Sequence, residues 1–175
     1  MNIKTVVRSA LAVGATFMTV DAFAANATAT ATATVITPIA ITKAVDLSFG
    51  KFAHGTGGSV AVSNSGARST PLAGPILSAV GSTPTAARFD VVGDNLATYS
   101  IVIAADATIV SGANSMALAV TSDLTGANVT AGNVASGTLS GAGVQSIFVG
   151  GALTVGAAQA SGAYTGNIVV TVEYN

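Results

Sequence analysis

Beyond the first two dozen residues no apolar run keeps a 3.6-residue period, and that excludes a helical fold for most of this chain. What remains is a series of short runs with alternating or clustered apolar residues, each closed by turn formers. Ala44–Phe52, Ser59–Ser63, Ala87–Val92, Thr98–Ala104, Met116–Ser122, Gly132–Leu139, Ser146–Val149, Leu153–Val155 and Ala163–Tyr174 read as strands. The punctuation falls at His54–Gly58, Asn64–Pro75, Gly81–Pro84, Gly93–Asn95, Ser111–Asn114, Gly126–Asn128 and Gly141–Gly143, all rich in Gly, Ser, Asn or Pro. Gly50, where the apolar spacing changes, suggests a bulge or bend. Short strands at this spacing predict an all-β sandwich or barrel.

The last run alternates most cleanly. Tyr164, Ile168, Val170, Val172 and Tyr174 fall on one face, whereas Thr165, Asn167, Thr171, Glu173 and Asn175 fall on the other. One face is expected to be buried and one wet, and no residues follow to form another strand. At the other end Ala25–Thr42 (ANATATATATVITPIAIT) also alternates, with Ala27, Ala29, Ala31, Ala33, Val35, Ile39 and Ile41 on one side. Such a segment can be extended with an apolar face but has little means of building a core. Only Val35, Ile39 and Ile41 are large enough to fill deep pockets, so Val35–Ile41 reads as packing and Ala27–Thr34 as tether or shallow filler. An arm at one end and a finishing strand at the other is the arrangement expected where one chain donates a strand to another.

Residues 1–24 have the three parts of a secretory signal: Lys4 and Arg8, the apolar run Ala10–Val20, and Ala22-Phe23-Ala24 before the expected cleavage point. The run is short of the roughly 20 apolar residues a membrane helix needs. Nothing later in the chain is long and apolar enough to cross as a helix. The expected organisation is therefore a signal over 1–24, an N-terminal extension and candidate donor strand over 25–42, and one β-sandwich domain over 43–175. Beyond the signal Lys43, Lys51, Arg68 and Arg88 face Asp46, Asp90, Asp94, Asp106, Asp123 and Glu173, with no patch of one sign. Nucleic acid is thus not an expected partner. A surface so poor in charge lacks what normally keeps soluble proteins apart, and suits self-association. Cysteine is absent, so no disulfide braces the fold and no thiolate can act as nucleophile or metal ligand.

Several stretches carry a closer likeness. They are Asp46-Leu47-Ser48-Phe49-Gly50, Phe89-Asp90-Val91-Val92-Gly93, Ala97-Thr98-Tyr99-Ser100-Ile101, and Phe148–Val155 with Gly162–Gly166 leading into Val170–Tyr174. In these the chain resembles the secreted bacterial family known as domain of unknown function 4402, itself similar to archaic, spore-coat-U-like chaperone–usher pilins. The resemblance implies an immunoglobulin-like β-sandwich lacking its final strand and completed by the N-terminal arm of the next subunit. It also implies a periplasmic chaperone and an outer-membrane usher as partners, and passage through the periplasm to the cell surface of a Gram-negative bacterium.

Reactive groups are scarce. His54, the single histidine, sits in the turn KFAHGTGG with no paired carboxylates nearby, and reads as a solvated turn residue. Asp90 and Asp94 fall short of the six to eight oxygens calcium takes, and Asp94-Asn95 reads as a turn cap. Gly55-Thr56-Gly57-Gly58 lacks the Lys-Ser/Thr ending and the helix of a phosphate cradle. Asn26-Ala27-Thr28 and Asn128-Val129-Thr130 fit the N-glycosylation pattern, relevant only where a pathway reads it. Aromatics are too scattered for a stacking platform. No catalytic, cofactor or metal residue is expected. The expected function is that of a structural subunit of a surface fibre. The alternatives are a self-contained secreted matrix or binding protein whose arm folds back on its own sheet, then a small outer-membrane barrel, then a secreted enzyme. The barrel lacks aromatic girdles around its strands, and the enzyme lacks convergent groups.

Overall fold

A computed structural model describes residues 24–124 and 134–175. The leader expected over 1–24 therefore lies outside the described residues except for Ala24, as do Asn128-Val129-Thr130 and the turn expected at Gly126–Asn128. Residues 24–34 belong to a unit of their own; they lie outside every strand and are exposed throughout. The second unit, Val35–Asn175, is all-β, with no helix among the described residues.

Its strands are β1 (Ala40–Val45), β2 (Phe52–Ala53), β3 (Gly58–Val62), β4 (Arg68–Ser69), β5 (Ile76–Leu77) and β6 (Ala87–Val92). They continue as β7 (Thr98–Ala105), β8 (Thr108–Ser111), β9 (Asn114–Asp123), β10 (Ser136–Thr138), β11 (Val144–Val155) and β12 (Ile168–Tyr174). All pairing is antiparallel. The larger sheet is organised around β11. β9 lies along Phe148–Thr154, so β6 at Val144–Val149 and β3 at Gly151–Val155 must share the opposite edge end to end. β1 adds to β6, β4 to β3, and β8 to β9 through a tight hairpin at Gly112. The smaller sheet runs β10-β7-β12, and β2 pairs with β5 separately.

Alternation decides which side chains meet between the sheets. Ala87, Phe89 and Val91 of β6, Ile147 and Val149 of β11, Tyr99 and Ile101 of β7 and Val170 of β12 bury one cluster, with Leu139 completing it. A second cluster joins Val60, Ile109, Met116, Leu153 and Val155. Tyr99 is fully buried, and its hydroxyl donates to Gln145 Oε1 at 3.0 Å. Burial raises its pKa above the usual 10.0. The folded chain therefore keeps this proton at pH values where the unfolded chain has lost it. Its contribution is complete below about pH 10 and shrinks as pH rises from there towards the folded-state pKa. Urea-denaturation stability should fall more steeply between pH 9.5 and 11 in the native chain than in Tyr99→Phe.

Three local expectations change. The strand expected over Ala44–Phe52 breaks instead into β1, an irregular stretch with one bridge from Ser48 to Thr85, and β2. β1 already shifts register between Lys43 and Val45 before it ends, and Gly50 at φ 68° takes the backbone out of the pleat ahead of β2. The strand expected over Ala163–Tyr174 is regular only from Ile168. Before it Asp106 Oδ2 takes the Asn167 N–H at 2.7 Å, where strand pairing would otherwise continue. Conversely, Gly150-Gly151, expected between two strands, lies inside β11. A Cβ on Gly150 would sit 2.5 Å from the Val62 carbonyl oxygen and 2.7 Å from Asn64 Oδ1, so glycine here permits close backbone approach where β6 gives way to β3. Gly150→Ala should cost about 2 kcal/mol, as overpacking does. Gly141→Ala, which meets nothing within 4 Å, should change stability by less than about 1 kcal/mol. Paired urea melts measure the contrast.

Candidate functional site

Among the singly paired strands, β1 and β12 are the two whose edges approach one another. β1 bonds β6 and ends the larger sheet; β12 bonds β7 and ends the smaller one. The two edges come together at one end. There Ile39 and Ile41 pack on the same cluster as Val172 and Tyr174, and the Tyr174 hydroxyl donates to the Thr37 carbonyl at 2.7 Å. Away from that end the edges diverge into a cleft of about 970 Å³, with Lys43–His54 on one wall and Gln159–Ile168 on the other. Its floor is apolar: Ile109 of β8, Met116 and Leu118 of β9, and Leu153 of β11.

Each wall is irregular chain held by side chains. On the first, the Arg68 guanidinium donates from Nη1 to the Phe49 and Lys51 carbonyls, both at 3.0 Å, and to Ser82 Oγ at 2.9 Å. Its Nη2 donates to the Ser78 carbonyl at 2.7 Å. One cation thus ties the turn around Gly50 to the Ser78–Ser82 loop, which also takes the Lys51 N–H on Ser82 Oγ at 2.8 Å. On the second wall, the Tyr164 hydroxyl donates to the Ala160 carbonyl and accepts from Gln159 Nε2, both at 2.7 Å. Gln159 Nε2 also reaches the Ser115 carbonyl, and Thr165 bridges to Val110.

The residues singled out from the sequence are divided by this arrangement. Ala27, Ala29, Ala31 and Ala33 are exposed in the separate N-terminal unit, and Val35 is 96% exposed at the start of the second. Ile39 and Ile41 instead pack against this chain's own first cluster, Ile41 standing opposite Val91. Ile168, Val170, Val172 and Tyr174 face that cluster from β12, while Tyr164 lies on the cleft wall against the second. His54 is exposed, with Nδ1 2.8 Å from the Gly55 carbonyl oxygen. Asp90 holds Ser146 Oγ at 2.7 Å and Arg88 Nη2 at 3.1 Å on the outer face of the larger sheet. Among the described residues no three His, Cys, Asp or Glu side chains converge as metal ligands. No helix among them is long and apolar enough to cross a membrane.

Sequence reasoning missed Arg68 and the Gln159–Tyr164 pair. The available signal was a lone arginine in the Asn64–Pro75 loop with no acid near it in sequence, since such a cation needs other acceptors. No curated protein matches the chain. A protein-family profile does, across residues 39–174, which begins just before β1 and takes in every strand and both cleft walls. The chain therefore belongs to the family described as domain of unknown function DUF4402.

Proposed function

We propose that this protein is a structural subunit of a bacterial surface fibre, joined to its neighbour by an exchanged strand. The observation that carries the reading is an apolar-floored cleft that opens where the singly paired edges of β1 and β12 end, at Lys43–Val45 and Ile168. An open edge is a row of unpaired N–H and C=O groups, a template for another strand. An extended segment laid between two such edges can bond on both sides while alternate side chains point to the floor. On this reading the second unit is an immunoglobulin-like sandwich short of one strand, as in pilins.

Ala27–Thr34 of a second copy suits the cleft as donor. The deep positions are already occupied by the chain's own Ile109, Met116 and Leu153, which are 8%, 5% and 1% exposed. Small alternating side chains are then sufficient, and main-chain hydrogen bonds supply most of the attachment. Each such bond contributes roughly 0.5–1.5 kcal/mol net, so a strand bonded along two edges is held cooperatively. The expected leader fits the same reading: the subunit is exported, held by a periplasmic chaperone, and passed through an outer-membrane usher to the surface.

The test is electrophoresis of the purified mature protein in SDS without boiling. A ladder of multimers that collapses to monomer on boiling is expected. A single monomer band at every protein concentration, with the N-terminal arm protected from protease, would replace this reading with a fold-back monomer.

A further inference from the structure

A cleft and a candidate donor arm on one chain raise a question of self-capture: an arm that entered its own cleft would end a fibre before it began. We infer that the root of the arm, Thr34–Ile39, is a steering device, held by the Tyr174 hydroxyl, that keeps the arm out of its own cleft and commits it to a second copy. This rests on the strand-exchange reading and adds to it the means by which partner is preferred over self.

Two features act together. The first is stiffness. Thr34-Val35-Ile36-Thr37 is an unbroken β-branched run, and Pro38 follows it. β-branched residues favour extended backbone, and the residue before proline is driven out of the helical region. No tight turn suits this segment, so the nearest reversal lies at Ala33. With cleavage after Ala24, only Ala25–Thr32 would then run back, roughly 26 Å at about 3.3 Å per residue. The cleft begins at Lys43, and retracing Thr34–Lys43 takes roughly 33 Å. The returning arm falls short.

The second feature is the anchor. A stiff root could still pivot as a whole at Pro38, which would swing all of Ala25–Thr37 alongside β1 and into the cleft. The Tyr174 hydroxyl opposes that pivot. It donates to the Thr37 carbonyl at 2.7 Å while accepting the Asp94 N–H at 2.6 Å, and so ties Thr37 to the β6–β7 turn. Gly93 is part of the seat, because a Cβ there would overlap the Tyr174 hydroxyl. Ile39 and the Ala40–Val92 pair hold the chain on the far side of the pivot. Thr37 is therefore held at the end where the two sheets meet, and the cleft opens at the other.

The experiment uses the full mature chain, half of it ¹⁵N-labelled. A benzophenone amino acid replaces Thr30, on the side of the arm that faces away from the cleft floor. After assembly and irradiation, mass spectrometry reads whether crosslinks to cleft-wall peptides join like or unlike isotopes. The native root should give crosslinks between copies, with the statistical isotope mixture. Tyr174→Phe keeps the ring in the core but frees Thr37. It should raise the ratio of within-chain to between-chain product roughly fivefold, the worth of one ordinary hydrogen bond. Equal ratios in the two proteins, both crosslinked between copies, would overturn the steering role and leave strand exchange standing. Within-chain product alone from the native root, or no product with the cleft walls at all, would overturn strand exchange and the steering role with it.

Discussion

Removing Ala25–Thr34 from the mature chain should abolish multimers outright while leaving the remaining domain folded. The two parts of this outcome have separate causes. Assembly is lost because the deleted residues are the proposed donor. Folding is kept because the cut falls at the boundary of the second unit, before Ile39 and Ile41, which pack on its core. A synthetic peptide covering Ala25–Thr37 should then restore what the deletion removed. At a hundred times its dissociation constant a ligand of the folded state adds about 2.7 kcal/mol of stability, a rise of several degrees in Tm for a domain of this size. A scrambled peptide that keeps the Ala/Thr content but places bulky residues out of phase should add far less. Multimers of undiminished length from the truncated chain would remove the arm from the mechanism.

The parts of this fold legible in the sequence are those where one physical signal acts alone. β6, β7 and β12 fall in apolar runs bounded by turn residues, and alternation along them buries Phe89, Ile101 and Val170. Where two signals compete, sequence reading went astray. Glycine marks a turn in most contexts, yet Gly150-Gly151 sits in the most heavily paired strand because its neighbours leave no room for a side chain. The cleft was less legible still. Its floor could be named only once the topology brought Ile109, Met116 and Leu153 together from three strands. Its walls are built from segments with no regular period, whose shape is set by long-range hydrogen bonds between side chain and main chain. Nothing local announces that an arginine will bond the carbonyl of Phe49, nineteen positions away. The Ala-Thr arm shows the opposite case. Its alternation is plain in the sequence, but the limit between arm and domain is not. Ile39 and Ile41 continue the pattern of Ala27–Val35 while packing on their own chain's core.

Arg68→Met should destabilise the domain by about 3 kcal/mol and weaken its hold on the arm peptide by more than that loss alone would account for. The guanidinium makes four hydrogen bonds, three to main-chain carbonyls and one to Ser82 Oγ. Bonds to a charged donor are worth about 1.5–3 kcal/mol each, but the four share one side chain and are not additive. Some freed carbonyls also reach water in the half-buried setting, so the total falls well below the sum. Methionine keeps the stem's apolar volume and cannot donate, so the Phe49 and Ser78 carbonyls lose this donor while the Lys51 carbonyl keeps only the Ser78 N–H at 3.0 Å. Lysine keeps the charge but not the planar fork that serves two segments at once, and Arg68→Lys should recover less than half of the loss. The effect on the cleft follows from what the bonds hold. Phe49 and Lys51 flank Gly50, whose left-handed backbone is the corner of the wall; Arg68 fixes the Phe49 carbonyl against the Ser78–Ser82 loop and reinforces Lys51, which the Ser78 N–H and Ser82 Oγ also hold. Freed of it, the wall samples other positions, and an incoming strand must reorder it at a cost in entropy before bonding. Urea melts of the arm-deleted domain give the first quantity and titration with the arm peptide gives the second. If Arg68→Met lost stability but bound peptide as tightly as the native domain, the brace would belong to the fold and not to the cleft.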